Sequence, residues 1–103
     1  MINKFLERRI KIIPDEGDQG LNKPMELEYY LIESEAYEID DFRIEKVYGV
    51  EIVKKDGESQ LESNFVRDLS SSRDGVRSIL DLLIKNTVTP VGLPFIIEDL
   101  LGT

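Results

Sequence analysis

The sequence predicts an α+β domain in which an antiparallel β-meander of about four strands is followed by two C-terminal helices packed on one face. Two observations predict it. Apolar residues alternate with polar ones over much of residues 25–68, which is the period of a strand, and after residue 71 they recur at helical spacing. Strands and helices segregated along the chain favour α+β over alternating units. With 103 residues, we expect a single domain spanning 1–103.

The first segment, residues 1–13, predicts a strand or arm in which Ile10 and Ile12 alternate with charged residues. Its four basic residues outnumber its one acidic residue, a composition typical of a sheet edge guarded by charge. Residues 14–24 begin and end with proline and contain two glycines, so we expect a flexible loop there.

The second segment, residues 25–68, predicts the β-meander, and it contains a hairpin with a turn at 56–57. Asp56-Gly57 is a dipeptide that fits a two-residue type I′ turn, which would fix the register of the two strands. The register expected on the helix-covered face pairs Ile52 with Leu61, Val50 with Ser63 and Tyr48 with Phe65. On the opposite face it pairs Val47 with Val66 and Glu51 with Glu62.

The third segment, residues 71–101, predicts two helices. Ser71 is expected to cap the first helix and Asn86 to end it in a left-handed conformation. Thr89-Pro90 is expected to precede the second helix as a turn or cap, and Gly102 to end that helix. Their apolar stripes are Val76, Ile79, Leu80 and Leu83 in the first, and Leu93, Ile96, Ile97 and Leu100 in the second.

Composition excludes several classes of function. The chain has neither cysteine nor histidine, which removes disulfides, thiolate nucleophiles and the commonest general base, so we expect no catalytic residue and no cofactor. A net charge of −8 argues against binding to nucleic acid. No run of 18 apolar residues and no signal-like start occurs, so we expect a cytoplasmic protein that does not enter the membrane.

The order of motifs resembles a known family. The runs LEYYLIES and YGVEIVKK, a serine-rich helix start and NTVTPVGLPFIIEDLL are similar to an uncharacterised family of short proteins from clostridial-type Gram-positive bacteria. The resemblance covers about residues 26–101. It implies a domain of unknown function, and it assigns no catalytic or binding residue to this chain.

Carboxylates are the groups left for binding a divalent cation or a small ligand, which is the alternative function. The candidate metal residues are Glu51 and Glu62, brought together by the predicted register, and Asp40 and Asp41 in the run EAYEIDD. Acidic residues that face water give the same sequence pattern, and we expect that interpretation to hold more often.

The leading hypothesis concerns the sheet face away from the helices, which in an antiparallel sheet is normally polar. Five apolar residues fall on it: Tyr30, Ile32, Val47, Val53 and Val66. They could be covered by the N-terminal segment with Phe5 and Leu6, by a second copy of the chain, or by another protein, although scattered exposed apolar residues are also common. We therefore expect a small acidic noncatalytic protein-interaction or self-association module, with a protein partner or a homodimer.

Overall fold

The computed structural model describes residues 2–13, 24–38, 43–57 and 60–102. Four antiparallel strands lie in chain order: β1 (Asn3–Ile12), β2 (Met25–Glu38), β3 (Arg43–Asp56) and β4 (Gln60–Ser70). They are followed by helix α1 (Arg73–Lys85), a 3₁₀ turn (Pro90–Gly92) and helix α2 (Leu93–Leu100). The predicted fold class is confirmed. The predicted loop at 14–24 lies outside the described residues, except for Pro24.

The hydrophobic core lies between one face of the sheet and the two helices. Every second residue in the middle of β2 and β3 points into it, and Tyr29 stands opposite Ile52 and Leu31 opposite Val50. The Tyr29 hydroxyl donates a hydrogen bond to the carbonyl oxygen of Val88 at 2.9 Å, which ties the sheet to the segment after α1. The core residues are Leu27, Tyr29, Leu31, Tyr48, Val50, Ile52, Val76, Leu80, Leu83, Val88, Leu93 and Ile97.

Strand β1 forms one edge of the sheet and contains a β-bulge. Leu6 pairs with Tyr30 and Arg8 with Tyr29, so one residue of β1 is extra. The bulge leaves Leu6 on the face away from the helices and turns Ile10 toward the core, against which it packs. The predicted N-terminal strand is present, and it extends the sheet rather than covering its second face.

The β3–β4 hairpin is present, but its predicted turn and register are wrong. Asp56 pairs with Gln60, so residues 57–59 connect the strands, and Gly57 begins the connection with a positive φ of 60°. Ile52 stands opposite Asn64 rather than Leu61. Because β3 pairs one residue further than predicted and the connection has three residues and not two, the whole of β4 slides along β3.

The shift amounts to three residues, and an odd shift exchanges the two faces of a strand. Val66 therefore lies opposite Val50 and packs against the core, not on the other face as predicted. Leu61 and Phe65, predicted to lie under the helices, are exposed on the opposite face.

A second irregularity lies in β4 beside Gly49. The pairing jumps between Tyr48 and Val50, so Gly49 faces extra residues of β4, among them Asp68 with a positive φ of 56°. A Cβ atom on Gly49 would lie 2.2 Å from the carbonyl oxygen of Val66. The close approach of the two backbones therefore requires glycine at this position.

Both ends of α1 differ by one residue from the prediction. The N-cap is Ser72 and not Ser71, and its Oγ accepts a hydrogen bond from the backbone N–H of Gly75 at 3.0 Å. Asn86 has a φ of −94°, and it is Thr87 that adopts the left-handed conformation, with a φ of 50°. The N–H groups of residues 87 and 88 bond back to carbonyls of the last turn, which is the Schellman pattern.

Candidate interaction face

We define the outer face as the side of the sheet opposite the two helices. Four of the five candidate residues, Tyr30, Ile32, Val47 and Val53, lie on it. Ile32 is only 3% exposed, and the other three are half-buried. Val66 lies on the helix side because the hairpin register differs from the predicted one.

Three exposed apolar side chains complete the outer face. Leu6, Leu61 and Phe65 are 46%, 67% and 54% exposed. Leu6 stands opposite Tyr30, Tyr30 opposite Glu51, and Glu51 opposite Phe65, so one row of side chains crosses all four strands. The sequence did not show that Leu61 and Phe65 belong here, because the length of the connection after β3 decides their face.

Lys4 connects β1 to β3 across this row. Its Nζ lies 2.6 Å from Oε1 of Glu51 and 5.2 Å from the centre of the Tyr30 ring, which lies on the strand between them. The hydrogen bond to Glu51 raises the pKa of Lys4 above its usual value. The charge of Glu51 is therefore neutralised within the chain.

A second network surrounds Glu28, whose side chain is 3% exposed. Its carboxylate accepts hydrogen bonds from Nε of Arg9 at 2.9 Å and from the Tyr30 hydroxyl at 3.1 Å, and it lies 3.2 Å from Nζ of Lys55. Burial alone would raise the pKa of Glu28, but the hydrogen bonds from Arg9, Lys55 and Tyr30 outweigh it and hold the pKa below its usual value. Arg9 also lies 2.8 Å from Glu26.

Six charges of the outer face therefore contact an opposite charge on the same face. Three basic residues, Lys4, Arg9 and Lys55, contact three acidic ones on the same face. Among the residues that the structure describes, no buried side-chain nitrogen or oxygen lacks a hydrogen-bond partner. A partner could cover these six charges without leaving any of them buried and unpaired, which is the costly outcome when ions are desolvated.

The carboxylates proposed as metal ligands do not come together. Glu51 stands opposite Phe65 on the outer face, whereas Glu62 stands opposite Lys54 on the helix side, so the expected Glu51/Glu62 pair is wrong. Asp40 and Asp41 lie outside the described residues. Within the described ranges, no group of three carboxylates is arranged to hold a metal ion.

Comparison with known proteins gives one match. A family model described as "Family of unknown function (DUF6514)" matches residues 8–103. No curated protein and no solved structure matches the chain. In the described part of the chain, neither helix has the length and apolar character needed to cross a membrane. The predicted resemblance to an uncharacterised family is confirmed, while the bacterial origin stays a prediction.

Proposed function

The chain belongs to the DUF6514 family, whose function is unknown, and we propose that it is a noncatalytic interaction module whose outer face binds an apolar surface of another protein. One observation carries the proposal. Leu6, Phe65 and Leu61 are about half exposed or more on a face where Tyr30 and Val53 add further apolar area. An antiparallel sheet that faces water would normally present polar residues there.

The free energies expected from apolar burial and from ion pairs favour an apolar partner over a charged one. Covering a half-exposed leucine or phenylalanine side chain is worth about 1 kcal/mol. An exposed ion pair contributes about 0–1 kcal/mol, and Lys4 and Arg9 on this face are already paired with Glu51 and Glu28. The affinity would therefore come from burial of apolar surface, and it would depend little on salt concentration.

The proposal is tested with a variant that removes apolar surface without changing charge. Leu6→Ser combined with Val53→Thr keeps the paired charges, and Thr suits a strand. Ile44→Ser is the matched control, because Ile44 is 60% exposed on the opposite side of the sheet. A partner is first captured from the native cells by cross-linking, and its affinity for the three purified proteins is then measured by calorimetry.

We expect the wild type and Ile44→Ser to bind the purified partner equally, and the double variant to bind about tenfold more weakly or worse. Equal binding by all three proteins would refute the proposal. So would an affinity that falls steeply as salt is added, because that behaviour belongs to a charged interface.

For the alternative of a divalent-cation site, Asp40 and Asp41 are the remaining candidate ligands, because Glu51 and Glu62 lie on opposite faces of the sheet. No contact among the described residues favours it. We also propose a cytoplasmic setting, which suits a chain that has no cysteine for disulfides.

A further inference from the structure

The two edges of the sheet differ in how they are protected against pairing with another strand. An edge strand presents a row of unpaired backbone N–H and C=O groups, and charged side chains are a common protection. The β1 edge carries Lys4, Arg8, Arg9 and Lys11, so two β1 edges would bring like charges together. The stretch 61–66 of β4 contains a single charged residue, Glu62.

The same stretch of β4 is complementary to itself. In an antiparallel pair of two β4 strands, the outer faces coincide only if odd-numbered residues pair with odd-numbered ones. With the two-fold axis at Ser63, Leu61 stands opposite Phe65 of the second copy, and Glu62 stands opposite its Asn64. With the axis at Asn64, Leu61 would instead stand opposite Arg67. Of these two registers, the first pairs both exposed apolar side chains, Leu61 and Phe65, with each other.

We propose that two copies of the chain pair antiparallel along β4, centred on Ser63, and so form one continuous eight-stranded sheet. Leu61 and Phe65, which are 67% and 54% exposed in the single chain, form two equivalent apolar cross-strand pairs in this dimer. Pairing along β4 shares Leu61 and Phe65 with the outer face but uses neither Leu6 nor Val53, so the Leu6→Ser/Val53→Thr variant tests the function proposed for the outer face separately from the dimer.

Residues of the helix layer support the same β4–β4 interface. Nδ2 of Asn64 donates a hydrogen bond to the carbonyl oxygen of Pro90 at 3.2 Å, which places the 3₁₀ turn beside the proposed two-fold axis. Val91 follows directly and is 69% exposed, and Phe95, one turn further on, is 67% exposed. Antiparallel edge pairing keeps both helix layers on one side of the sheet. The exposed apolar residues of the two copies are then brought near each other.

The charge of the chain fixes the direction of the salt dependence. Two copies with a net charge of −8 each repel one another. Within the segment 61–66, no two like charges stand opposite each other across the β4–β4 interface. Added salt screens the repulsion, so the dimer should become tighter as ionic strength rises. An association held by ion pairs would show the opposite trend.

Sedimentation equilibrium on the pure chain tests the register with variants that place opposite charges at positions 61 and 65. Leu61→Lys alone sets a lysine opposite Phe65, and Phe65→Glu alone sets a glutamate opposite Leu61, so each should weaken the dimer about tenfold or more. The double variant sets the introduced lysine opposite the introduced glutamate twice and should recover most of the affinity. Leu6→Lys, on the far edge of the same face, is the control and should leave the dimer unchanged.

A second measurement does not depend on these side chains. Since the chain has no cysteine, Ser63→Cys introduces a single thiol that would face its own copy across the two-fold axis, where a disulfide can form. Mild oxidation should cross-link it rapidly, whereas Ser78→Cys on the exposed side of α1 should not be cross-linked under the same conditions. A wild type that is monomeric at every concentration, a double variant without recovery, or a Leu6→Lys chain that dissociates would each overturn the proposal.

Discussion

The Glu28 carboxylate lies 2.8 Å from the guanidinium group of Arg9 on the neighbouring strand, and it is almost completely shielded from solvent. Lys55 and Tyr30 contact the same carboxylate, so three strands meet at one buried charge. The opposing basic groups remain about half exposed to water. The network therefore fixes the outer face while its basic side chains stay partly hydrated.

Glu28→Gln should lower the free energy of unfolding at neutral pH by about 1–2 kcal/mol, because it removes the charge that Arg9 and Lys55 share. The folded-state pKa of Glu28 is lowered, so its contribution is present above the unfolded pKa of about 4.3 and is lost as pH falls through the folded pKa. Urea titrations of both proteins between neutral pH and about pH 3 measure this. If the free energies of unfolding of the wild type and of Glu28→Gln fall by the same amount as the pH is lowered, Glu28 is not the source of the acid sensitivity of the fold.

Tyr29 gives the matching prediction at high pH. Burial raises the pKa of Tyr29 to about 12, while the unfolded chain ionises near 10, so the neutral phenol stabilises the fold below about pH 10 and less above it. Tyr29→Phe should lose about 1–2 kcal/mol at neutral pH, because the Val88 carbonyl oxygen loses its donor, and it should unfold less steeply in alkali. Absorbance titration of the phenols follows the ionisation. A wild type whose four tyrosines all titrate near pH 10 would contradict this account.

Thr87 offers a site for stabilisation. It holds a left-handed φ of 50° in the Schellman turn after α1, a conformation that is costly for a β-branched residue and free for glycine. Thr87→Gly should raise the free energy of unfolding by about 0.5–1 kcal/mol, as measured by thermal or urea unfolding. Thr89→Gly is the control, because Thr89 has an extended backbone with a φ of −93°, so glycine there relieves no strain and should not stabilise the fold. A gain at position 89 equal to that at 87 would remove the conformational explanation.

The sequence predicted those parts of the fold that depend on neighbouring residues. Alternation identified the faces of β2 and β3, and helical spacing identified the stripes of α1 and α2 apart from Leu100, which is exposed, because each pattern is local. It failed for β4, where Asp56-Gly57 predicted a two-residue turn but three residues connect the strands. That one-residue difference in the connection exchanged Val66 for Phe65 on the outer face and separated Glu51 from Glu62. The candidate site was therefore predicted on β2 and β3 and missed on β1 and β4, where bulges and registers are set by tertiary contacts.

Gly49 marks the place where that tertiary constraint acts. The bulge in β4 brings the Val66 carbonyl oxygen close to Gly49. A methyl group on Gly49 would lie 2.2 Å from that oxygen. Gly49→Ala should therefore cost about 3 kcal/mol or more, because backbone and not a flexible side chain has to move. Gly92→Ala is the matched control, since its added methyl would meet only a Val88 methyl at 3.7 Å, an ordinary contact. Urea unfolding compares the two, and amide hydrogen exchange in β4 reports whether the bulge has shifted. Equal stability of the two variants would mean that β4 can slide at Gly49, and the register that exposes Leu61 and Phe65 would then not be fixed by this contact.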